Sequence, residues 1–172
     1  MWYNNSRNNL SKKEDDFMEN TKLVNKLIEL NYKISCAESC TGGMLASSLV
    51  EVSDASKVFD MSFVTYSNES KIKLLDVSPS VIAKYGVVSE EVAKQMALGV
   101  QKKAESNIGV GISGIAGPKG GTIDKPVGMV CFGIVINGKI HTYTEYFGEI
   151  GRQNVREKSV EFVINKILEL LN

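Results

Sequence analysis

Apolar residues recur at helical spacing over Leu23, Val24, Leu27, Ile28 and Leu30, which predicts an amphipathic helix beginning near Thr21. Residues 33–37 then read as a short strand, and residues 41–52 as a second helix with Leu45, Leu49 and Val52 turned inward. Residues 58–66 are rich in aromatic and β-branched side chains and read as a strand, followed by a short helix over 69–75. Ser78-Pro79 is a helix start with proline at the first helical position, and Gly86 is its stop. Ser89 caps a further helix to about Glu105, with Val92, Met96 and Val100 on one face. Residues 108–112 form a strand that leads into a glycine-rich segment. Two strand patterns, 127–136 and 140–147, flank Asn137-Gly138, a pair that signals a tight hairpin. An amphipathic helix over 153–171 closes the chain. By contrast, residues 1–20 are polar, Asn-rich and aperiodic; they are expected to form a loose N-terminal extension, in which Trp2 and Tyr3 are free to dock elsewhere. Alternation of strands and helices with one C-terminal antiparallel hairpin predicts a three-layer α/β/α sandwich over residues 21–172, built on a mixed, mostly parallel sheet.

Composition narrows the chemistry more than the fold. The chain of 172 residues is 43% hydrophobic and 23% charged, as expected of one globular domain. Its 20 Lys+Arg balance 20 Asp+Glu, so bulk charge gives no footprint for nucleic acid or an anionic membrane. No apolar run approaches the length of a membrane span, and no signal peptide opens the chain. The one histidine, His141, cannot build a zinc site of two or three His ligands, and its strand position suits a half-exposed side chain. Cys36, Cys40 and Cys131 form an odd set in apolar surroundings, expected as free buried thiols of a reducing, cytoplasmic compartment. No metal and no cofactor are implied.

Three clusters could carry chemistry. In Ala-Glu-Ser-Cys-Thr-Gly-Gly (37–43), between a strand and a helix, Ser39, Thr41 and the amides of Gly42 and Gly43 either hold an anion or simply cap the helix. In Tyr-Ser-Asn-Glu-Ser-Lys (66–71), Lys71 is either a solvated helix lysine or a desolvated general base, and a Ser–Lys pair substitutes for Ser–His in a chain so poor in histidine. In residues 113–122, five glycines between Gly111 and Gly121 supply either bare amides for an oxyanion or phosphate, or a flexible surface loop. Gly109-x-Gly111-x-x-Gly114 matches the dinucleotide fingerprint formally, but Gly117-Pro118 follows where a helix should run. Arg152 opens the last helix, where a cation is unfavourable for the dipole unless an anion sits beside it.

Together, AESCTGG (37–43), YSNESKIKLL (66–75), YGVVSEEVA (85–93) and SGIAGPKGGTIDKPVG (113–128) closely resemble the CinA C-terminal family over about residues 22–171. Enzymatic members of that family are nicotinamide mononucleotide deamidases. The resemblance implies an α/β/α fold, a homo-oligomer, and hydrolysis of a nucleotide carboxamide to the acid and ammonia. It places Ser39 at the nucleophile, Lys71 at its base and Tyr66 beside that base. Thr41, Gly42 and Gly43 continue from the nucleophile, and Ser56 falls on a second active-site serine. Ser113, Gly114 and Gly117 fall on the substrate-binding glycine-rich loop, and Arg152 on an anion-binding arginine. Ser113 stands where the family usually has Thr, Lys119 interrupts the usual glycine run, and residues 147–152 lack the family's Asp before the arginine. A catalytically silent competence- or damage-associated binding module, or an amidase for another small amide, is the alternative. The nucleotide-binding-like N-terminal domain of longer members is not expected from residues 1–20.

Overall fold

The computed structural model describes the backbone of residues 3–172 and the side chains of residue 14 and residues 16–172. Its elements run α1 (Tyr3–Leu30), β1 (Ile34–Glu38), α2 (Met44–Val50), a 3-10 turn (Ala55–Lys57), β2 (Phe59–Val64), α3 (Asn68–Leu75), α4 (Pro79–Tyr85), α5 (Glu90–Ala104), β3 (Ile108–Gly114), β4 (Met129–Ile136), β5 (Lys139–Tyr146) and α6 (Arg152–Leu170). The five strands lie in the order β2-β1-β3-β4-β5, with β2, β1 and β3 parallel and β4 antiparallel to both β3 and β5. Four of the five strands therefore point the same way, as the strand–helix alternation predicts.

Helices cover both faces. Leu23, Val24 and Leu27 of α1, Leu45 and Leu49 of α2, and Val163, Ile164 and Ile167 of α6 pack on one side against Ile34, Cys36, Val110, Ile112, Phe132 and Ile134. On the other side, Val92, Met96 and Val100 of α5 meet Ala37, Leu75 and Val77. The glycines of the apparent dinucleotide fingerprint serve this second layer. A Cβ on Gly111 would lie 2.1 Å from the Ala93 carbonyl, and one on Gly109 would lie 2.3 Å from that of Ala97. Bare α-carbons thus let α5 ride directly on β3, a packing role with no nucleotide in it.

Two expectations for the N-terminal half are corrected. The stretch expected as a loose extension is helical from Tyr3 onward, continuous with the packed turns around Leu23. Helix propagates at little cost once nucleated, and a segment that is polar on all sides carries no periodicity to announce it. The expected docking of Trp2 lies outside the described residues, as does that of the Tyr3 side chain. The second helix begins at Met44 rather than Thr41, because Gly42 (φ +61°) and Gly43 (φ +91°) are left-handed and end the preceding turn. The hairpin at Asn137 (φ 48°) and Gly138 (φ 82°) has two successive positive φ values, as its sequence demands.

Candidate active site

The carboxyl ends of β1, β2 and β3 converge on one spot, the position where ligands gather in open α/β sheets. Ser39 follows β1 directly and is 9% exposed; its amide donates to the Ile112 carbonyl of β3 (3.0 Å). Thr65 and Tyr66 follow β2, and Lys71 projects from the first turn of α3, whose start is fixed by the Ser67 hydroxyl accepting from Ser70 N–H. Lys71 is fully buried. Its Nζ lies 3.1 Å from Ser39 Oγ, 2.6 Å from the Thr65 carbonyl and 3.4 Å from the Tyr66 carbonyl. Among the described residues no carboxylate pairs with it. Burial without a counter-charge lowers its pKa to about 8. Of the two readings open for Lys71, the solvated one is thus set aside.

Cys40, next to Ser39, does not compete as a nucleophile. Its burial pushes the thiol up to about 12, a shift only partly offset by its own backbone amide and by the nearby Arg152 and Lys71 charges. Cys36 and Cys131 are likewise buried, free and raised by burial.

The turn after Ser39 differs from both readings open to the sequence. Neither Ser39 nor Thr41 caps α2, and its first amides do not await an anion. Glu38, fully buried at the end of β1, supplies one: its carboxylate accepts from the amides of Gly43 (3.0 Å), Leu45 (3.1 Å) and Ala46 (2.9 Å). The Gly42 amide closes a turn onto the Ser39 carbonyl (3.1 Å). The expectation that Gly42 and Gly43 offer amides to a ligand is therefore corrected. The donors left over belong to the two central residues of that turn. The amides of Cys40 and Thr41 have no oxygen acceptor among the described residues, and the buried Thr41 hydroxyl has no partner either. Sequence reasoning passed over Glu38 because strand-end carboxylates ordinarily point to solvent. The signal was the absence of any Ser, Thr, Asp or Asn directly ahead of Met44. Glu38→Gln, which faces three amides with one fewer oxygen, is expected to cost roughly 2–4 kcal/mol of stability, read by urea denaturation. An unchanged midpoint would show that the three bonds are replaceable.

Arg152, at the start of α6, reaches across the mouth of the site. It donates to the Gly117 carbonyl (3.0 Å) and to the Tyr66 hydroxyl (3.1 Å), joining the glycine-rich loop to the β2–α3 loop. Tyr66 is 64% exposed, so this link lies at the entrance. Gly114 ends β3 against Val130, and a Cβ there would meet Cys40 Sγ at 3.0 Å, so this loop too abuts the Ser39 turn. Ser113 is different. Its buried hydroxyl donates to the Val87 carbonyl (2.8 Å) and ties β3 to the segment ahead of α5. Ser56 is not brought in at all. It lies in the 3-10 turn before β2, whose first residue Phe59 pairs with Ile34, at the opposite end of the sheet from Ser39. Five strand residues at ~3.3 Å each separate the two ends, so the expectation for Ser56 is corrected for a site built within one chain. Arg156, unremarked in the sequence, sits one helical turn beyond Arg152 and holds the Thr41 carbonyl through Nε (3.2 Å) and Nη2 (2.8 Å).

A groove of about 740 Å³ between α1, α2 and α6 is lined, among the described residues, by Asp16, Glu19, Glu51, Glu157 and Glu161 and by no lysine or arginine. No helix among the described residues is long and apolar enough to cross a membrane.

Comparison with known proteins agrees with this architecture. The family model described as CinA C-terminal domain matches residues 17–171. A CinA-like protein of Petrotoga mobilis is 47% identical over 150 residues, covering 87% of this chain and 37% of that protein. The chain thus spans little more than a third of the length of the curated relatives it matches. Among solved structures, the competence/damage inducible protein CihA from Agrobacterium tumefaciens is 34% identical with a TM-score of 0.90, covering 92% of this chain and 96% of its own. A CinA superfamily protein from Klebsiella pneumoniae is 33% identical with a TM-score of 0.87, covering 91% and 97%.

Proposed function

The chain belongs to the CinA C-terminal domain family, and from that premise we propose that it is a serine–lysine amidohydrolase acting on nicotinamide mononucleotide. One observation carries the reading: Lys71 Nζ, buried and with no carboxylate beside it among the described residues, lies 3.1 Å from Ser39 Oγ. As an ammonium it donates to Ser39 Oγ and to the Thr65 and Tyr66 carbonyls. Once neutral, it keeps two N–H groups for the carbonyls and turns its lone pair to the Ser39 hydroxyl.

In the proposed reaction, Lys71 takes the Ser39 proton as Oγ bonds to the carboxamide carbon. The oxyanion that forms is held by the amides of Cys40 and Thr41, replacing the Gly42 and Gly43 amides as the donors. Collapse breaks the C–N bond, the proton passes from Lys71 to the leaving nitrogen, and ammonia departs. Water, deprotonated by Lys71, then cleaves the acyl ester, giving the nucleotide acid and free Ser39. The net change is amide plus water to acid plus ammonia. Arg152 receives the phosphate, using guanidinium N–H groups beyond the two engaged with Gly117 and Tyr66.

The test is ammonia release from nicotinamide mononucleotide by the purified protein in EDTA-containing buffer, beside a panel of other small amides. Release from the nucleotide in preference to free nicotinamide is the expected result. In the same assay Arg152→Ala should raise KM for the nucleotide on the order of 10-fold with a smaller change in kcat, since it removes ground-state binding. Well-folded protein that releases no ammonia from any amide would move the reading to a ligand-binding module without turnover.

A further inference from the structure

We infer that Arg156 is a positioning residue for the reacting turn, acting through the Thr41 carbonyl and making no contact with substrate. This rests on the reading of Ser39 as nucleophile. The turn from Ser39 to Gly42 is pinned at both ends and once more just beyond it. Ser39 N–H is tied to β3, Gly42 N–H closes on the Ser39 carbonyl, and Gly43 N–H is fastened to the Glu38 carboxylate. Between these pins lie the donors with no oxygen acceptor among the described residues: the amide of Cys40, which faces its own Sγ, and that of Thr41, together with the buried, unpartnered Thr41 hydroxyl. The Thr41–Gly42 peptide is held at its N–H by the Ser39 carbonyl, but its own carbonyl accepts only a long bond from Met44 N–H (3.3 Å) and has no other constraint within the turn.

Arg156 supplies that constraint. Its Nε and Nη2 both donate to the one carbonyl oxygen, and Nη1 is itself held by Gln153 Oε1 (3.1 Å). A planar fork fixes direction as well as distance, which a lysine ammonium cannot do. The charge also polarises the Thr41–Gly42 peptide and so strengthens the Gly42 N–H bond that closes the turn. Arg152 and Arg156 are one turn apart on the same helix face and divide the work. Arg152 faces the mouth between Tyr66 and Gly117, whereas Arg156 is spent on the backbone beneath the nucleophile.

The two arginines are separable by substrate. Ammonia release from nicotinamide mononucleotide and nitrophenol release from 4-nitrophenyl acetate, which has no phosphate, are measured for wild type, Ser39→Ala, Arg156→Ala and Arg156→Lys. A misaligned oxyanion turn lowers kcat on the order of 10- to 100-fold. Arg156→Ala is expected to show that loss with both substrates, with nucleotide KM within about threefold of wild type and partial recovery on adding methylguanidine. Arg156→Lys, which keeps the charge and one donor, should be intermediate, and it carries the test if the alanine variant fails to melt cooperatively. A rise in nucleotide KM with the ester reaction unchanged would make Arg156 a phosphate ligand and overturn the inference, as would wild-type kinetics in both variants. If the wild type leaves the nucleotide intact while its Ser39-dependent ester hydrolysis still needs Arg156, the substrate assignment fails and the positioning role stands. Absence of any Ser39-dependent reaction overturns both.

Discussion

Ser39→Ala is expected to abolish ammonia release, with kcat falling on the order of 10³-fold or more, while the fold and nucleotide binding persist. The fold should survive because, among the described residues, the Ser39 hydroxyl makes one hydrogen bond, the one with Lys71. The backbone of Ser39, which anchors the turn to Ile112 and Gly42, is unchanged by the substitution. Removing the hydroxyl also removes the covalent step, so acid-quenched wild type should carry an acyl adduct on the peptide containing Ser39 and the variant should not. Retention of turnover in Ser39→Ala would transfer the chemistry to a water activated directly by Lys71. Cys40 cannot inherit the role, since burial keeps its thiol protonated at neutral pH.

The architecture was legible where a residue pattern maps onto one local geometry. Asn137-Gly138 demanded a hairpin, Ser89 capped α5, and Ser78-Pro79 with Gly86 bracketed α4, all from nearest-neighbour chemistry. Residues 3–20 were illegible for the opposite reason: helix there continues from turns packed further along the chain, and no apolar stripe records it. The site divides in the same way. Ser39 and Lys71 stand 32 positions apart, and no local pattern pairs them; the resemblance to a family supplied the pairing, and the parallel register of β1 and β2 supplies its physical reason. Glu38 and Arg156 act on backbone atoms of a turn, Arg156 from 115 positions away, and backbone partners leave no trace in side-chain identity. Ser56 shows the converse within one chain. A motif can place a residue in a site by alignment, although strand direction puts it at the other end of the same sheet.

Lys71→Met is expected to lower kcat/KM on the order of 10³-fold, the usual worth of a positioned base together with its orienting bonds. The pH dependence gives the sharper signature. Lys71 acts as a base only when neutral, so wild-type kcat/KM should climb about tenfold per pH unit below its pKa and level off above about 8. At pH 7.5 roughly a quarter of such lysines are neutral, against about one in a thousand at the ordinary value near 10.4. Stability must carry the same shift. Because the folded pKa lies below the unfolded one, the unfolded chain binds the extra proton between about pH 8 and 10.4. The penalty for burying the charge is complete below that window and fades as pH rises through it. Wild type should therefore gain about 2–3 kcal/mol relative to Lys71→Met between pH 7.5 and 10.5, a difference read from paired urea titrations. A gap that stays constant with pH would mean that Lys71 titrates normally. A kcat/KM flat between pH 6 and 9, or a methionine variant keeping a tenth of wild-type turnover, would remove it as the base.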